Sequence, residues 1–501
     1  MRTLIWFRSD LRTTDNTALA AAAKQAKDTA SDDNEHQGVL AVFTICPDQW
    51  AKEHDWATIK SDFILRTLRT LAEDLQSLGI PLRIINKDRF QQIPAALLKL
   101  AKHHKCGSVH FNREYEWNER QRDEAVIEHF ENAGLQAHPH TDQSLWEPGR
   151  IRTGSDTYYT VFSPFKKACY KRWKDGDRPE SPSLPRSFPA ANLNTDDIPE
   201  SVKHFRPNDD ERSRWADLYP AGQKSARAKL AAFVKNNISD YNDTRDLPAE
   251  PGTSGLSPYL TVGAISCRQC LSAALKAANN SIDKGPDGPA AWIDEIIWRE
   301  FYKHLIVGHP RVSKHRPFQT DTESITWNDD DDAFAAWCEG RTGFPIVDAA
   351  MRQLNTIGWM HNRLRMITAM FLTKDLFIDW RKGERYFMQR LIDGDLASNN
   401  GGWQWSASTG TDAAPYFRIM NPITQSHRYD KDARFIKEWL PELAHLPAKA
   451  AHDPHAADPK SKPRAHAEDS LFESLNYPEP IADHKEAREH AINTFKALKK
   501  S

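Results

Sequence analysis

Glu295, Trp298, Arg299 and Tyr302 stand at i, i+3, i+4 and i+7 within "WIDEIIWREFYKHL", so a helix there carries a carboxylate, an indole, a guanidinium and a phenol on one face. Such a face could hydrogen-bond a polar ring, stack on it and hold an anion. An amphipathic helix with Trp and Tyr in the core and Glu and Arg at its edges has the same pattern. A second such face arises in "GWMHNRLRM", where Trp359, Asn362, Arg363 and Met366 share a side if the segment is helical. The third concentration is "DGDLASNNGGWQWSASTGTDAAPYFRIMNP", Asp393 to Pro422, with Trp403 and Trp405 one residue apart among small residues. Small residues around large aromatics fit either a flat ligand close to the backbone or a tightly packed core.

Charge sharpens the question. The chain has 67 Lys+Arg against 69 Asp+Glu, a net charge of -2, so any nucleic-acid contact needs a local basic patch. Between Arg341 and Arg390 there is one: nine positive residues against Asp348, Asp375, Asp379 and Glu384, a local excess of +5. Solvated helix faces also carry Arg and Lys, but interleaved Trp points to stacking on exposed bases. Metal chemistry has little support. Cys267 and Cys270 lack a second ligand pair nearby, and neither "HPH" (His138 to His140) nor "HKEAREH" (His484 to His490) has zinc-protease spacing, so both histidine groups are expected on the surface. The acidic run Asp329 to Asp332 reads as a solvated helix start.

The elements that must position these residues come in two kinds. Up to residue 140, the apolar runs "TLIWF", "VLAVFTI", "LRIIN" and "SVHFN" alternate with helical stretches such as Ser61 to Leu78, which predicts a parallel α/β domain. No Gly-rich phosphate loop follows the first run; "FRSDLRTTDN" stands in its place. Residues 141–220 are rich in Pro, Ser and Asp and read as a connector lying across the surface. Residues 221–501 read as helical throughout. No apolar run approaches the ~18 residues of a membrane span, and the early strand leaves no room for a signal peptide, so a cytoplasmic protein is expected.

Four stretches, "GTSGLSPYL", "IDEIIWREFYKHL", "GWMHNRLRMITAMFLTKDLFIDWRKGERYF" and the Asp393 to Pro422 segment, together resemble the DNA photolyase and cryptochrome family. The resemblance is to bacterial class I cyclobutane pyrimidine dimer photolyases, and runs from "WFRSDLRTTDN" to near the C-terminus. It implies a Rossmann-like parallel-sheet antenna domain joined to an all-α FAD-binding domain, and repair of dimers in single- or double-stranded DNA. Reduced, anionic FAD excited by blue light would give an electron to a flipped-out dimer and regain it after the ring splits. Carried over by motif, Tyr241, Thr253, Ser254, Leu256 and Ser257 would hold the phosphate side of FAD. Trp292, Arg299, Asn362, Arg365, Asp393, Asp395 and Asn399 would line the rest, with Asn399 at the ring nitrogen that exchanges a proton. Trp403, Trp380 and Trp327 would form an electron-transfer chain. Glu295 would hydrogen-bond the dimer, Trp298, Met366 and Trp405 would face it, and Arg245, Arg363 and Arg418 would hold phosphates.

For the antenna, Asn118 and Glu119 in "EYEWNERQRD" and Lys314 match the residues that bind methenyltetrahydrofolate in folate-type relatives. Ser313 stands where close relatives carry Cys, and His54 sits one place from a family His; a deazaflavin or an empty site are the alternatives. The segment "MHNRLRM", with Asn362 and Met366, lacks the histidine pair of (6-4) photolyases. A cryptochrome that signals through partners is the rival of another class, and the short stretch after Asn421 resembles the photolyase ending. The expected protein is a monomer with no obligate protein partner and no membrane association.

Overall fold

The computed structural model describes residues 1–31, 36–456 and 476–498. They cluster into two compact units. The first comprises Met1–Asn242, Thr253–Lys314 and Met388–Ser398, and the second comprises Asp243–Gly252, His315–Phe387 and Asn399–Ser501.

The first unit is built on a five-stranded, all-parallel sheet of β1 (Arg2–Phe7), β2 (Val39–Ile45), β3 (Leu82–Asn86), β4 (Cys106–Asn112) and β5 (Gln136–His140), in the order β3-β2-β1-β4-β5. Every residue of β1 and β2 is buried, so these strands are apolar on both faces rather than alternating. Four helices, Thr17–Asp28, Thr58–Ser77, Ile93–His103 and Trp117–Asn132, form the crossovers. The strand-like runs of the sequence appear where expected; β5 carries no apolar signature, since its sequence is QAHPH. Its proline fits an edge strand, which needs fewer backbone donors.

The sheet's direction of progression reverses between β1 and β4, the position where open α/β sheets take ligands. Here buried charge fills it. Arg8 pairs with Asp123 at 3.1 Å, Arg122 with Glu114 at 2.6 Å and with Asp123 at 2.8 Å, and Asn112 donates to Asp10 at 2.6 Å. Burial opposes ionisation of Glu114, yet Arg122 and Arg8 outweigh it and draw its carboxyl down to about 2. The segment "FRSDLRTTDN" thus builds an internal ion network instead of a phosphate cradle.

Residues 141–220 contain two helices, Phe162–Lys174 and Asp209–Leu218. Between them the chain runs along β3, an edge strand. Asp196 N–H donates to Leu82 O at 2.8 Å, Asp196 Oδ2 accepts from Ile84 N–H at 3.0 Å, and Ala191 N–H donates to Gly79 O at 3.1 Å. Gly38 (φ +90°) and Gly79 (φ +70°) let Ala190 and Ala191 approach; a Cβ on Gly38 would stand 2.7 Å from Ala191 N. The least foldable text of the sequence therefore covers an otherwise open sheet edge.

Beyond β5 every regular element among the described residues is a helix, apart from two isolated bridges. The Asp287–Gly308 helix is the longest of them. In the second unit, Asp330 caps the Asp331–Glu339 helix by accepting from Ala333 N–H at 2.9 Å, so the acidic run is a helix start. "GWMHNRLRM" is helical only from Asn362; Trp359 lies in the preceding loop, off the face of Asn362, Arg363 and Met366. His361 caps that helix, which fixes its start three residues past Trp359. Of the histidine groups expected on the surface, His138, His140 and His484 are half-buried, with His140 Nε2 3.1 Å from His110 Nδ1, whereas His490 is exposed, one edge of its ring 4.7 Å from Phe377. Among the described residues no cluster could hold a metal ion, and no helix is long and apolar enough to cross a membrane.

Candidate functional site

In the first unit the Asp287–Gly308 helix carries Trp292, Glu295, Trp298, Arg299 and Tyr302, as its spacing predicts. Trp292 is buried against Phe233 at 4.9 Å, and Phe233 meets the Tyr241 ring edge-on at 5.7 Å. Trp298 lies face to face with Phe162, centroids 3.6 Å apart and planes 5° apart, and beside Tyr302 at 5.8 Å. Phe162 comes from the segment read as connector, so that segment helps to mount a predicted lesion residue. Arg299 Nη1 donates to Gln143 O at 2.5 Å, and Glu295 is half-buried.

Thr253, Ser254 and Ser257 are half-buried around buried Leu256, and Ser257 opens the short Ser257–Thr261 helix. Gly255 has φ +58°, and a Cβ on it would lie 2.6 Å from Lys229 Cε and 3.1 Å from Lys229 Nζ. A lysine therefore approaches the backbone of "TSGLS", which no motif in the sequence signalled. An ammonium beside hydroxyls suits a phosphate.

Asp393 and Asp395 flank Gly394 on the Met388–Ser398 piece of the same unit. Lys303 Nζ bridges Asp395 Oδ2 at 2.8 Å and Glu116 Oε1 at 2.6 Å. Asp395 Oδ1 accepts from Ser398 N–H at 2.9 Å. Burial disfavours its charge, but Lys303 and Arg299 hold the Asp395 carboxyl well below the usual range. Lys60 Nζ donates to Gly394 O at 2.7 Å and sits 3.8 Å over the Trp56 ring; burial pushes its amine down to about 8.

Of the three predicted antenna residues, Asn118 and Glu119 lie beside His54, and Lys314 sits over the neighbouring Trp117. His54 Nε2 lies 3.5 Å from Glu119 Oε1 and 3.5 Å from Asn118 Nδ2. Lys314 Nζ lies 3.5 Å over the Trp117 ring, and Ser313 Oγ accepts from Trp117 N–H at 2.9 Å. Burial, then the nearby Glu116 and Glu114, raise the Glu119 carboxyl well above its usual value, leaving it able to donate as well as accept.

In the second unit Asn399 Nδ2 donates to Glu384 O at 3.0 Å, and Asn400 Nδ2 to Glu384 Oε1 at 2.8 Å. Gln404 Nε2 donates to Asn400 Oδ1 at 2.8 Å, so three polar side chains of one helix are held in register. That helix is Leu396–Ala407, and residues two apart on a helix point to roughly opposite sides. Hence Trp403 is buried while Trp405 is half-exposed. Trp403 packs edge-on against Phe387 at 5.0 Å and Trp337 at 6.0 Å, and its indole Nε1 has no hydrogen-bond partner. Trp380 is buried under Arg381, whose guanidinium lies 4.9 Å over it, and Trp327 is half-buried beside Phe377 at 5.0 Å. Trp337, fully buried with its Nε1 on Thr368 O at 3.1 Å, is an aromatic neighbour the sequence did not single out.

The predicted phosphate holders differ in freedom. Arg418 is exposed, Arg245 half-buried, and Arg363 is paired bidentately with Asp246 at 2.6 and 3.3 Å. Arg365 Nε donates to Met360 O at 2.8 Å; Asn362 is exposed and Met366 half-buried. The local basic excess is also largely paired: Arg352 with Glu442, Arg381 with Asp379, Lys382 with Asp329 and Asp331, and Arg341 with Glu339.

Each unit offers groups that a flavin dinucleotide needs. In the first, hydroxyls with a nearby lysine fit phosphates and two carboxylates fit ring and sugar donors; in the second, an amide with its NH₂ engaged offers an oriented oxygen. A Cβ built on exposed Gly402, one residue before Trp403, meets nothing within 4 Å. The buried Trp403 indole, with no hydrogen-bond partner at Nε1, lies among aromatic rings.

Comparison with known proteins gives the same reading. Residues 3–186 match a family model described as DNA photolyase, and residues 292–497 match one described as the FAD binding domain of DNA photolyase. The chain is 43% identical over 497 residues, 99% of each chain, to a deoxyribodipyrimidine photo-lyase from Salmonella typhimurium. Among solved structures, a class III photolyase from Agrobacterium tumefaciens matches with TM-score 0.82 and 34% identity, covering 100% of this chain and 98% of that one. A cryptochrome from Synechocystis matches with TM-score 0.83 and 26% identity, covering 98% and 99%.

Proposed function

The chain belongs to the DNA photolyase family, and on that premise we propose that it repairs cyclobutane pyrimidine dimers in UV-damaged DNA under blue light. One observation carries the reading furthest. A single helix bears Trp292 and Arg299, assigned to the flavin, and Glu295 and Trp298, assigned to the lesion. At ~1.5 Å per residue, the six-residue step from Trp292 to Trp298 is about 9 Å along the axis, so cofactor and substrate contacts share one rigid mount.

FAD, when bound in its reduced, anionic form, supplies the light-driven electron that splits the cyclobutane ring and takes it back afterwards. The residues do the rest. Tyr241, Thr253, Ser254, Leu256 and Ser257, with Lys229 beside them, hold the phosphate side. Trp292, Arg299, Asn362, Arg365, Asp393 and Asp395 orient the remainder, and Asn399 holds a proton at the ring nitrogen. Glu295 hydrogen-bonds the extruded bases from a position set before they arrive. Trp298, Met366 and Trp405 pack against them, while Arg245, Arg363 and Arg418 hold flanking phosphates. Arg363 must exchange Asp246 for phosphate to do so. Trp327, Trp380 and Trp403 would pass an electron inward from an external reductant such as a thiol, which is oxidised in exchange. Extruding a dimer that already stacks poorly costs less than extruding two intact bases, which supplies selectivity without sequence reading.

The division of labour follows the boundaries 1–140 for the antenna domain, 141–220 for the connector and 221–501 for catalysis. Asn118, Glu119 and Lys314 seat methenyltetrahydrofolate, with His54 as an added partner. We place the protein in the cytoplasm, as a monomer on single- or double-stranded damaged DNA. The test is repair of a dimer-containing oligonucleotide under blue light by the fully reduced holoprotein, beside Glu295→Ala. Wild type repairs, and the variant's ring-opening yield falls severalfold; an unchanged yield removes Glu295 from the mechanism. No repair by wild type would leave the signalling alternative.

A further inference from the structure

Lys303 is 2% exposed at its side chain and lies between two carboxylates of separate origin. Glu116 immediately precedes Trp117, Asn118 and Glu119; Asp395 closes the turn that begins with Asp393. Its ammonium makes its two charge-assisted bonds at 2.6 and 2.8 Å. Burial lowers the affinity of this amine for its proton, but Asp395 and Glu116 more than reverse that, so the cation is fixed.

Lys60 reinforces the same junction. It reaches from the Thr58–Ser77 helix to the carbonyl of Gly394, between the two aspartates, and lies over Trp56, two residues from His54. On the other side, Ser313 and Lys314 hold Trp117 at the helix start that carries Asn118 and Glu119. The first turn of that helix is therefore tied on two sides, and the turn at residues 393–395 is tied to it through Lys303.

We propose that Lys303, with Lys60 beside it, is a positioning residue that fixes the antenna-bearing helix start to the Asp393 to Asp395 turn, so that light-harvesting pigment and flavin are mounted on one rigid frame. The inference rests on the antenna and flavin assignments above. Its consequence is specific, because excitation transfer between two pigments falls steeply with distance and with misalignment of their transition dipoles. A loosened mount degrades transfer before it abolishes binding.

The test uses full-length protein carrying FAD and methenyltetrahydrofolate, and reads folate fluorescence, which transfer to FAD quenches. In Lys303→Met, folate fluorescence rises severalfold at equal folate and FAD content, measured by absorbance after denaturation; Lys303→Arg, which keeps the cation, returns most of the quenching. Glu116→Gln, which weakens one arm of the bridge, raises fluorescence in the same direction and serves if Lys303→Met fails to fold. Wild-type quenching in the foldable variants, at full pigment content, overturns the positioning role. A wild type that retains FAD but binds no folate overturns the antenna assignment, and this inference with it.

Discussion

Lys374 holds its amine 3.0 Å from the Ala407 carbonyl and 3.7 Å over the Phe495 ring. Burial alone pushes it down to about 7 from an ordinary 10.5. Between those values the unfolded chain binds a proton that the folded chain does not, so stability rises with pH through that window; below about 7 both states are protonated and the burial penalty is fully present. Urea unfolding of wild type and Lys374→Met at pH 7 and pH 9 will show a gain with pH in wild type and a flatter profile in the variant. Parallel profiles would refute a buried, titrating amine. At Gly383, an added Cβ would meet the Trp403 ring at 2.2 Å. Gly383→Ala should cost about 1–3 kcal/mol, read as a lower melting temperature, with altered Trp403 fluorescence. An unshifted melting temperature would show that the ring can move aside. The Glu295, Trp298, Arg299 and Tyr302 stripe was legible because helical spacing encodes a shared face. Lys229, Lys303, Trp337 and Lys374 were not, because each owes its meaning to a partner distant in sequence.

At the scale of elements, the strands β1 to β4 and the Asp287–Gly308 helix could be read from apolar periodicity, and β5 could not, since a polar edge strand lacks it. The loop at Trp359 was hidden for a different reason: apolar spacing continued across it, and only the His361 cap marks where the helix begins. Two caps and covers carry predictions. Asp330→Ala removes the acceptor for Ala333 N–H and should cost about 1 kcal/mol, measured by chemical denaturation. Asp196→Ala deletes the acceptor for Ile84 N–H and the ion pair with Arg83. Faster hydrogen exchange at Ile84, confined to β3 and its neighbours, is the expected result. Unchanged protection would mean that the backbone contacts of residues 191 and 196 suffice.

For the whole molecule, the total charge is a near-neutral -2, and carboxylates pair Arg341, Arg352, Arg363, Arg381 and Lys382, which offsets much of the positive excess of residues 341–390. Binding to a dimer-containing duplex should weaken with salt, with a slope reflecting only a few phosphate contacts, and show little dependence on flanking sequence. Equal affinity for undamaged duplex in a gel-shift competition would contradict the lesion-extrusion mechanism. A window count of charge could not reveal this, because Asp246, Asp329, Asp331 and Glu442 all lie outside the window they neutralise.

The strip of residues 191–196 lying on β3 also bears on how the polypeptide can be cut. A truncated gene ending at residue 140 would keep every strand yet leave β3 with bare amide and carbonyl groups, an invitation to stack copy upon copy. Anyone wishing to express the sheet-bearing part alone should carry the chain past Asp196 before placing a stop codon.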